Sequence, residues 1–268
     1  MMLKRSVKRG AGIVFSVVVM PVLLGISVLA YLFVFGDPSH FQGNDPANAP
    51  IPGDLLGIVY KGGVIVPILM TTFLLALTYT IERFIAIGRA RGKGDSIAFL
   101  QGLKEDLRDG HYLQAQARCE RQQGALGNVC AAVAATYAAV EADPSMTKEQ
   151  KIVALQKEVE EATSLELPAL EQNLVILSTI SSIATLIGLL GTVVGMIKAF
   201  AALANAGAPD SVALSSGISE ALVNTALGIV AAILSIIAYN FFTVQIDKIT
   251  YHIDEAGYSI VQTYNEKH

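Results

Sequence analysis

Glu220 is the residue whose type and setting point most directly to chemistry. It is the one charged residue in the run from Ser211 to Ile246. A carboxylate at bilayer depth costs about 2.5 kcal/mol or more, so it faces a bundle interior or a water path. Because we expect no Lys or Arg at matching depth in the other spans, we predict that this carboxyl is hydrated or protonated and can relay a proton.

Polar side chains recur at helical spacing on two apolar stretches, which a short turn at Asn205–Asp210 separates. Thr192 lies in the first stretch and Thr225 in the second. At 1.5 Å per residue, both hydroxyls lie about 20 Å from the turn, at similar depth on antiparallel helices. Asn224 and Ser219 either belong to the same path or pack the helices together.

Small residues accompany these polar groups. Gly191 and Gly195 form a GxxxG pattern, which permits close helix approach. Because one chain cannot enclose a path with the small-residue faces at both Gly188–Gly195 and Ala221–Ala232, we predict a ring-like homo-oligomer with the third and fourth spans lining the centre.

Composition indicates a membrane protein, and because strand alternation is lacking we expect an all-α integral membrane protein. Hydrophobic residues make up 53% and charged residues 16%, whereas soluble domains carry about 25% charged residues. No basic stripe with aromatic residues indicates a nucleic-acid partner. The four histidines are scattered, and Cys119 and Cys130 do not form a CxxC, so we expect reduced thiols and no metal. With no nucleophile–base pair and no phosphate loop, an enzyme is the weakest interpretation, and we expect no cofactor.

Four stretches are long enough to span a bilayer, which takes about 20 apolar residues. They are Ala11–Phe35, Gly62–Ile81, Gln172–Ile197 and Ala221–Ile246. The first follows a basic start, as a signal peptide would. Its apolar region is too long for a signal peptide, so we interpret it as a retained helix.

The distribution of Lys and Arg predicts that both termini are cytoplasmic. The segment Gly36–Leu56 carries neither residue and is rich in turn formers, so it is predicted to be an external loop. Lys61 and Lys198 are the basic residues near the outer face, and we expect both to snorkel to headgroups.

These features divide the chain into five parts. They are an N-terminal transmembrane helix with external loop (1–56), a second transmembrane helix (57–88), a cytoplasmic helical region (89–171), a transmembrane hairpin (172–247) and a cytoplasmic helical tail (248–268).

Two predictions concern the cytoplasmic helices. A capping box at Thr147 and Gln150 opens a helix that we expect to run unbroken from Lys148 to Leu203, with a possible kink at Pro168. The tail carries an apolar stripe at heptad-like spacing, which either associates with other copies or packs on helices of the same chain. Its members are Ile246, Ile249, Ile253, Gly257, Ile260 and Tyr264.

Two motifs carry a family resemblance. LIGLLGTVVGMI at Leu186–Ile197 and GISEALVNTALGIVAA at Gly217–Ala232 resemble the proton-channel family of ExbB, TolQ and MotA, and most closely its ExbB/TolQ branch. The resemblance covers Glu160 to Asp247. The helix at Ala11–Phe35 has no counterpart in the three-helix version, so the chain is similar to a four-helix variant. The family often has Pro where Thr185 and Leu234 stand, so straighter helices are expected here.

The resemblance implies an inner-membrane subunit that forms a homo-pentamer around an ExbD-like single-pass partner, whose intramembrane Asp carries the proton. A TonB-like protein would then transmit the work to outer-membrane importers. Family roles pass to Thr192 and Thr225 as pore-lining hydroxyls and to Glu220 as the channel carboxylate. The alternatives are a TolQ-like or MotA-like stator subunit and a non-conducting structural scaffold.

Overall fold

The computed structural model describes residues 18–204 and 211–268. The regular elements of this part are helices, and the β-type pairing found in it is one isolated antiparallel bridge between Phe41 and Pro50. The all-α prediction is therefore confirmed. The basic start of the chain, residues 11–17 of the first predicted span and the turn at 205–210 lie outside the described residues.

Nine α-helices follow one another along the described chain. Four of them are short or of medium length: α2 at Leu55–Tyr60, α4 at Ser96–Arg108, α5 at Tyr112–Gln122 and α6 at Gly124–Ala142. The others are α1 at Val18–Phe35, α3 at Val66–Ala90, α7 at Lys148–Glu171, α8 at Leu174–Ala204 and α9 at Ser211–Lys267. The last turn of α1, Tyr31–Phe35, is π-helical, and α9 runs for 57 residues without a break.

Five helical segments are long and apolar enough to cross a membrane, one more than the four expected from the sequence. The additional one is α6, and the others are Val18–Phe35, Gly63–Ala90, Lys148–Ala204 and Ser211–Lys267. The count of four spans is therefore not confirmed. An alanine-rich helix such as α6 meets a hydropathy criterion through its composition, while half of its apolar window is buried inside the protein.

The expectation of one unbroken helix from Lys148 to Leu203 is wrong. Helix α7 ends at Glu171 and α8 begins at Leu174. At the break Gln172 is extended, with ψ of 136°, and Asn173 adopts a left-handed φ of 65°, a conformation that Asn tolerates better than most residues.

Side chains from α3 stabilise this break. The buried guanidinium of Arg83 donates to the carbonyl of Leu170 at 3.2 Å, which satisfies an end-of-helix carbonyl. The side-chain amide of Asn173 donates to Glu82 Oε2 at 3.2 Å. Pro168, where a kink seemed possible, lies inside α7.

The chain divides into two compact units, each with its own packing. The first comprises the described parts of Met1–Thr80 and Ile176–Ala238, and the second comprises Ile81–Val175 and Tyr239–His268. The candidate site described below lies entirely in the first unit.

The segment predicted to be an external loop is well structured. Phe41 is buried at 1% exposure, and its ring packs edge-on against Tyr60. Lys61 Nζ donates to the carbonyls of Pro46 at 2.8 Å and Ala47 at 3.1 Å. The expectation that Lys61 snorkels to headgroups is therefore wrong, because the loop itself provides acceptors for the ammonium group.

The apolar stripe of the tail was expected either to associate with other copies or to pack on helices of the same chain, and packing in the second unit supports the latter. Its side chains are buried on other helices of the same unit, so packing within the chain accounts for the spacing. A Cβ on Gly257 would overlap Val159 Cγ1, which shows how closely α9 approaches α7. The predicted capping box at Thr147 and Gln150 is confirmed.

Candidate functional site

Glycines bring α8 and α9 into close contact. A Cβ on Gly195 would lie 2.7 Å from the carbonyl oxygen of Gly217, and one on Gly228 would lie 2.6 Å from that of Ala184. Any larger side chain at these positions would push the helices apart. The small-residue faces of α8 and α9 thus pack against each other within one chain, and the ring-like homo-oligomer stays a prediction.

Thr192 and Thr225 meet across this contact. Their hydroxyls are hydrogen-bonded to each other, so the prediction of similar depth is confirmed. Thr225 Oγ1 also lies 3.2 Å from the carbonyl of Ala221, and Thr192 Oγ1 lies 3.4 Å from that of Gly188. Each hydroxyl has one proton, so the pair can be polarised in either direction, with one hydroxyl donating across and the other donating to its own helix.

Glu220 is buried at 7% exposure and is paired. Lys198 Nζ on α8 lies 2.6 Å from Glu220 Oε1 and 2.9 Å from Oε2. The expectation of an unpaired carboxyl is therefore wrong, as is the assignment of Lys198 to headgroup snorkelling. Lys198 follows Gly191 and Gly195 at helical spacing, which places it on the α8 face that meets α9. Its long side chain spans the remaining depth, and about half of it stays exposed.

The Gly62–Gly63 turn, directly before α3, covers the carboxylate from a third side. Gly63 has φ of +75°, and a Cβ there would lie 2.6 Å from Glu220 Oε1. The side-chain amide of Asn224 donates to the carbonyl of Gly62 at 2.9 Å. The sequence reasoning missed both glycines, although a Gly-Gly pair directly before an apolar helix signals a left-handed turn or a close approach.

Asn224 is completely buried, and its Oδ1 has no hydrogen-bond partner among the described residues. Of the two interpretations left open for this residue, the bond to Gly62 supports interhelical packing. Ser219, beside Glu220, is half-buried. The Oδ1 of Asn224 is thus a buried acceptor on a residue one helical turn from Glu220.

The carboxylate and the hydroxyl pair lie at different depths. Glu220 and Thr225 are on the same helix, and helical rise separates them by about 7 Å along the axis. A proton passing between them would need an intervening water or a group from a partner. The site therefore consists of the Lys198–Glu220 ion pair at one depth and the polarisable Thr192–Thr225 hydroxyl pair about 7 Å further along α9.

Other reactive residue types lie away from this site. The described residues contain no cluster of three or more His, Cys, Asp or Glu able to hold a metal ion. Cys119 and Cys130 are free and buried. Burial raises the pKa of the Cys119 thiol to about 12, so this thiol stays protonated and unreactive at neutral pH.

Comparison with known proteins places this arrangement in context. Residues 129–255 match the model of the MotA/TolQ/ExbB proton channel family, a family of channels and not an enzyme class. The chain is 39% identical over 88 residues to the Tol-Pal system protein TolQ of Haemophilus influenzae, covering 33% of this chain and 39% of the relative. It is 41% identical over 70 residues to the biopolymer transport protein ExbB of Salmonella typhimurium, covering 26% and 29%.

The chain is also 38% identical over 86 residues to the protein named "Putative biopolymer transport protein ExbB-like 3" of Synechocystis. The match covers 31% of this chain and 41% of that protein. The chain thus spans about two fifths of the length of the first curated relatives it matches. TolQ and ExbB names occur at similar identity, so the comparison does not separate the two branches. The resemblance drawn from the sequence is confirmed: residues 129–255, with Thr192, Glu220 and Thr225 among them, match the MotA/TolQ/ExbB proton channel family.

Proposed function

We propose that this chain is a proton-channel subunit of the bacterial inner membrane. With an ExbD-like single-pass partner, it converts the proton motive force into work on a TonB-like protein for outer-membrane import. The observation that carries this proposal is the Thr192–Thr225 hydroxyl pair. It lies about 7 Å along the helix axis from the buried Glu220. Both lie inside the segment that matches the family.

The hydroxyl pair suits a passing proton. A hydroxyl can donate to a carboxylate and accept from a carboxylic acid, so it stabilises either protonation state of a partner group beside it. Because the Thr192 and Thr225 protons can be oriented in two ways, the pair serves both states without moving its helices.

The titrating carboxyl is proposed to come from a partner. Glu220 is the one acidic residue in the first unit's apolar stretches of α3, α8 and α9, and Lys198 already neutralises it. Moving one proton down 100 mV releases about 2.3 kcal/mol, so mechanical work needs several protons and a group that returns repeatedly to its starting state. An intramembrane Asp on a single-pass partner would meet this requirement, and Glu220 with Lys198 would shape the field around it.

The proposed assembly is a homo-pentamer, multi-pass, with both termini in the cytoplasm. The orientation rests on the Lys and Arg distribution. A path with a partner inside needs several copies, since Thr192 and Thr225 are only half-buried in one chain. Exposed apolar side chains on the outer faces of α8 and α9, such as Leu189, Leu222 and Ile233, are available for contacts with other copies or with lipid.

The second candidate is a TolQ-like role. Matches to TolQ of Haemophilus influenzae and of Pseudomonas aeruginosa, at 39% and 42% identity, support it as much as the 41% match to ExbB of Salmonella typhimurium supports the ExbB-like role. A MotA-like stator would use the same kind of core. Co-purification distinguishes these roles: a TonB-type set of partners supports the ExbB-like function, and a Tol–Pal set supports the TolQ-like function.

Two measurements together test whether the chain is a scaffold that conducts no protons. They are the proton-driven activity of Glu220→Gln and the proton flux through the native assembly. Under the proposed function, Glu220→Gln lowers proton-driven activity because the charge paired with Lys198 is lost. Unchanged activity in this variant, together with no measurable proton flux in the native assembly, would favour the scaffold.

A further inference from the structure

A surface cavity of about 400 Å³ lies in the second unit, where α3 ends, α4 begins and α9 passes. Arg91, Lys248 and His252 line it, together with Asp95. The Asp95 carboxylate accepts from the backbone N–H of Ile97 at 3.0 Å as the N-cap of α4. The lining therefore has more positive than negative charge, and its one acid already has a partner.

The two strong cations of this cavity are free. Among the described residues, Arg91 and Lys248 form no ion pair, whereas Arg118 in the same unit lies 2.7 Å from Asp106. His252 lies 3.4 Å from Glu255. Arg91 and Lys248 are thus available for an anion from outside the chain.

Exposed apolar strips lead to both cations. On α9, Phe241 and Val244 are about half exposed and stand one turn before Gln245 and Lys248 on the same face. On α3, Phe84 is 66% exposed, and Gly88 and Arg91 follow it at helical spacing. At 1.5 Å per residue, each cation is about 5–6 Å beyond the end of its strip.

Gly88 keeps the α3 strip open. A Cβ built there meets nothing within 4 Å, so the surface between Phe84 and Arg91 has room beside it. A small soluble anion would use only the cationic cavity. An amphipathic anion would use the cavity and the apolar strips together. Because both features are present side by side, an amphipathic anion fits this surface better than a small soluble one.

We propose that this cavity binds the phosphate headgroup of an anionic phospholipid, with its acyl chains along the Phe84–Gly88 and Phe241–Val244 strips. Arg91 and Lys248 contact the phosphate, and His252 and Ser96 line the rest of the headgroup site. Unpaired Lys and Arg next to a membrane attract anionic lipids, and two such residues correspond to about thirtyfold in affinity. The proposal requires that the chain spans a membrane, and it is independent of proton conduction.

Native mass spectrometry of the full-length protein in mild detergent tests the site. Phosphatidylglycerol and phosphatidylcholine with identical acyl chains are titrated onto the wild type and onto Arg91→Gln/Lys248→Gln. The matched control, Lys104→Gln/Arg108→Gln, removes the same charge from α4 outside the cavity. We expect the cavity variant to bind phosphatidylglycerol about thirtyfold more weakly, with the control and all phosphatidylcholine affinities unchanged. Equal affinity in the cavity variant, or an equal loss in the control, would overturn the proposal.

A second arm separates lipid from free phosphate. Gly88→Leu fills the open strip and leaves every charge in place, so it should weaken phosphatidylglycerol binding severalfold. Inorganic phosphate at millimolar concentration should not displace the lipid. Displacement by phosphate, with no effect of Gly88→Leu, would mean that the cavity takes a soluble phosphate and would overturn the lipid assignment. Circular dichroism and gel filtration confirm that each variant is folded.

Discussion

Lys198 on α8 and Glu220 on α9 form a bidentate ion pair, with Nζ 2.6 Å from one carboxylate oxygen and 2.9 Å from the other. The pair joins the two helices that carry the hydroxyls of Thr192 and Thr225. It also changes the expected role of the carboxylate, because a compensated charge is better suited to holding a field and a geometry than to binding and releasing protons.

Lys198 and Glu220 should act as one unit. We expect Glu220→Ala and Lys198→Met each to lower proton-driven import strongly while the assembly stays intact, because each leaves its partner's charge uncompensated. The double variant should be no worse than the more damaged single variant, as expected for residues that share one interaction. Import rates in the three variants and the wild type check this, and additive losses would show that the two residues act separately.

Glu220→Asp extends the same comparison. It retains the carboxylate with a shorter reach, so it should keep part of the activity that Glu220→Ala loses. Full import by Glu220→Ala, together with loss of import when a partner's intramembrane Asp is changed, would make Glu220 a structural residue.

Replacing Gly63 with alanine should impair import, an effect that the strain of its positive φ alone would not cause. Gly63 and Gly53 both have positive φ, at +75° and +88°, so an alanine at either costs about 1–2 kcal/mol of strain. Only at Gly63 does the new methyl group meet Glu220, whereas a Cβ at Gly53 meets nothing within 4 Å. We expect both variants to lower the unfolding temperature in detergent and only Gly63→Ala to lower import. Equal import in the two would separate Gly63 from the site.

The loop between α1 and α2 should loosen in acid. A hydrogen bond from His40 and backbone N–H groups lower the pKa of Asp54. A lowered pKa in the folded state means that the contribution to stability is complete above the usual Asp pKa of about 4 and is lost as pH falls through the folded value. Amide exchange at Leu56 and Gly57, corrected for its intrinsic pH dependence, should rise below about pH 4.

Asp54→Asn is the matched control for this loop, since Asn caps helices about as well as Asp but does not titrate. Its amide exchange should show no transition in the acidic range. The same transition in Asp54→Asn would assign the effect to another group.

The chain should assemble with other copies. Glycine packing inside the chain uses the small-residue faces, so contacts between copies fall to the exposed apolar side chains of α8 and α9. We expect native mass spectrometry in mild detergent to show a ring-sized oligomer. Monomers alone, across several added lipids, would count against the proposed assembly.

Features set by local pattern could be predicted from the sequence. The capping box at Thr147 follows from four consecutive residues, and the shared depth of Thr192 and Thr225 follows from helical rise on both sides of one turn. The break at Asn173 could not be predicted in the same way, because the stabilising Arg83 and Glu82 come from a distant helix.

Lys198 is an intermediate case. Its spacing from Gly191 and Gly195 places it on the side of α8 that faces α9, so the sequence could predict the helix face that carries Lys198. Depth alone suggested a headgroup contact, and only the antiparallel offset of the two helices shows that its side chain reaches Glu220. The positive φ of Gly63 against that carboxylate likewise depends on the approach of a third helix.

Proton flux tests the central claim most directly. The chain and its Asp-bearing partner are reconstituted in liposomes, and flux under an imposed potential is compared for the wild type, Thr192→Val/Thr225→Val and the control Thr185→Val. Valine matches threonine in shape and lacks the hydroxyl, and Thr185 donates only to its own helix at Ser181 among the hydrogen bonds described. We predict that the double variant assembles normally and loses flux, while the control conducts like the wild type. Wild-type flux through the double variant would contradict the account.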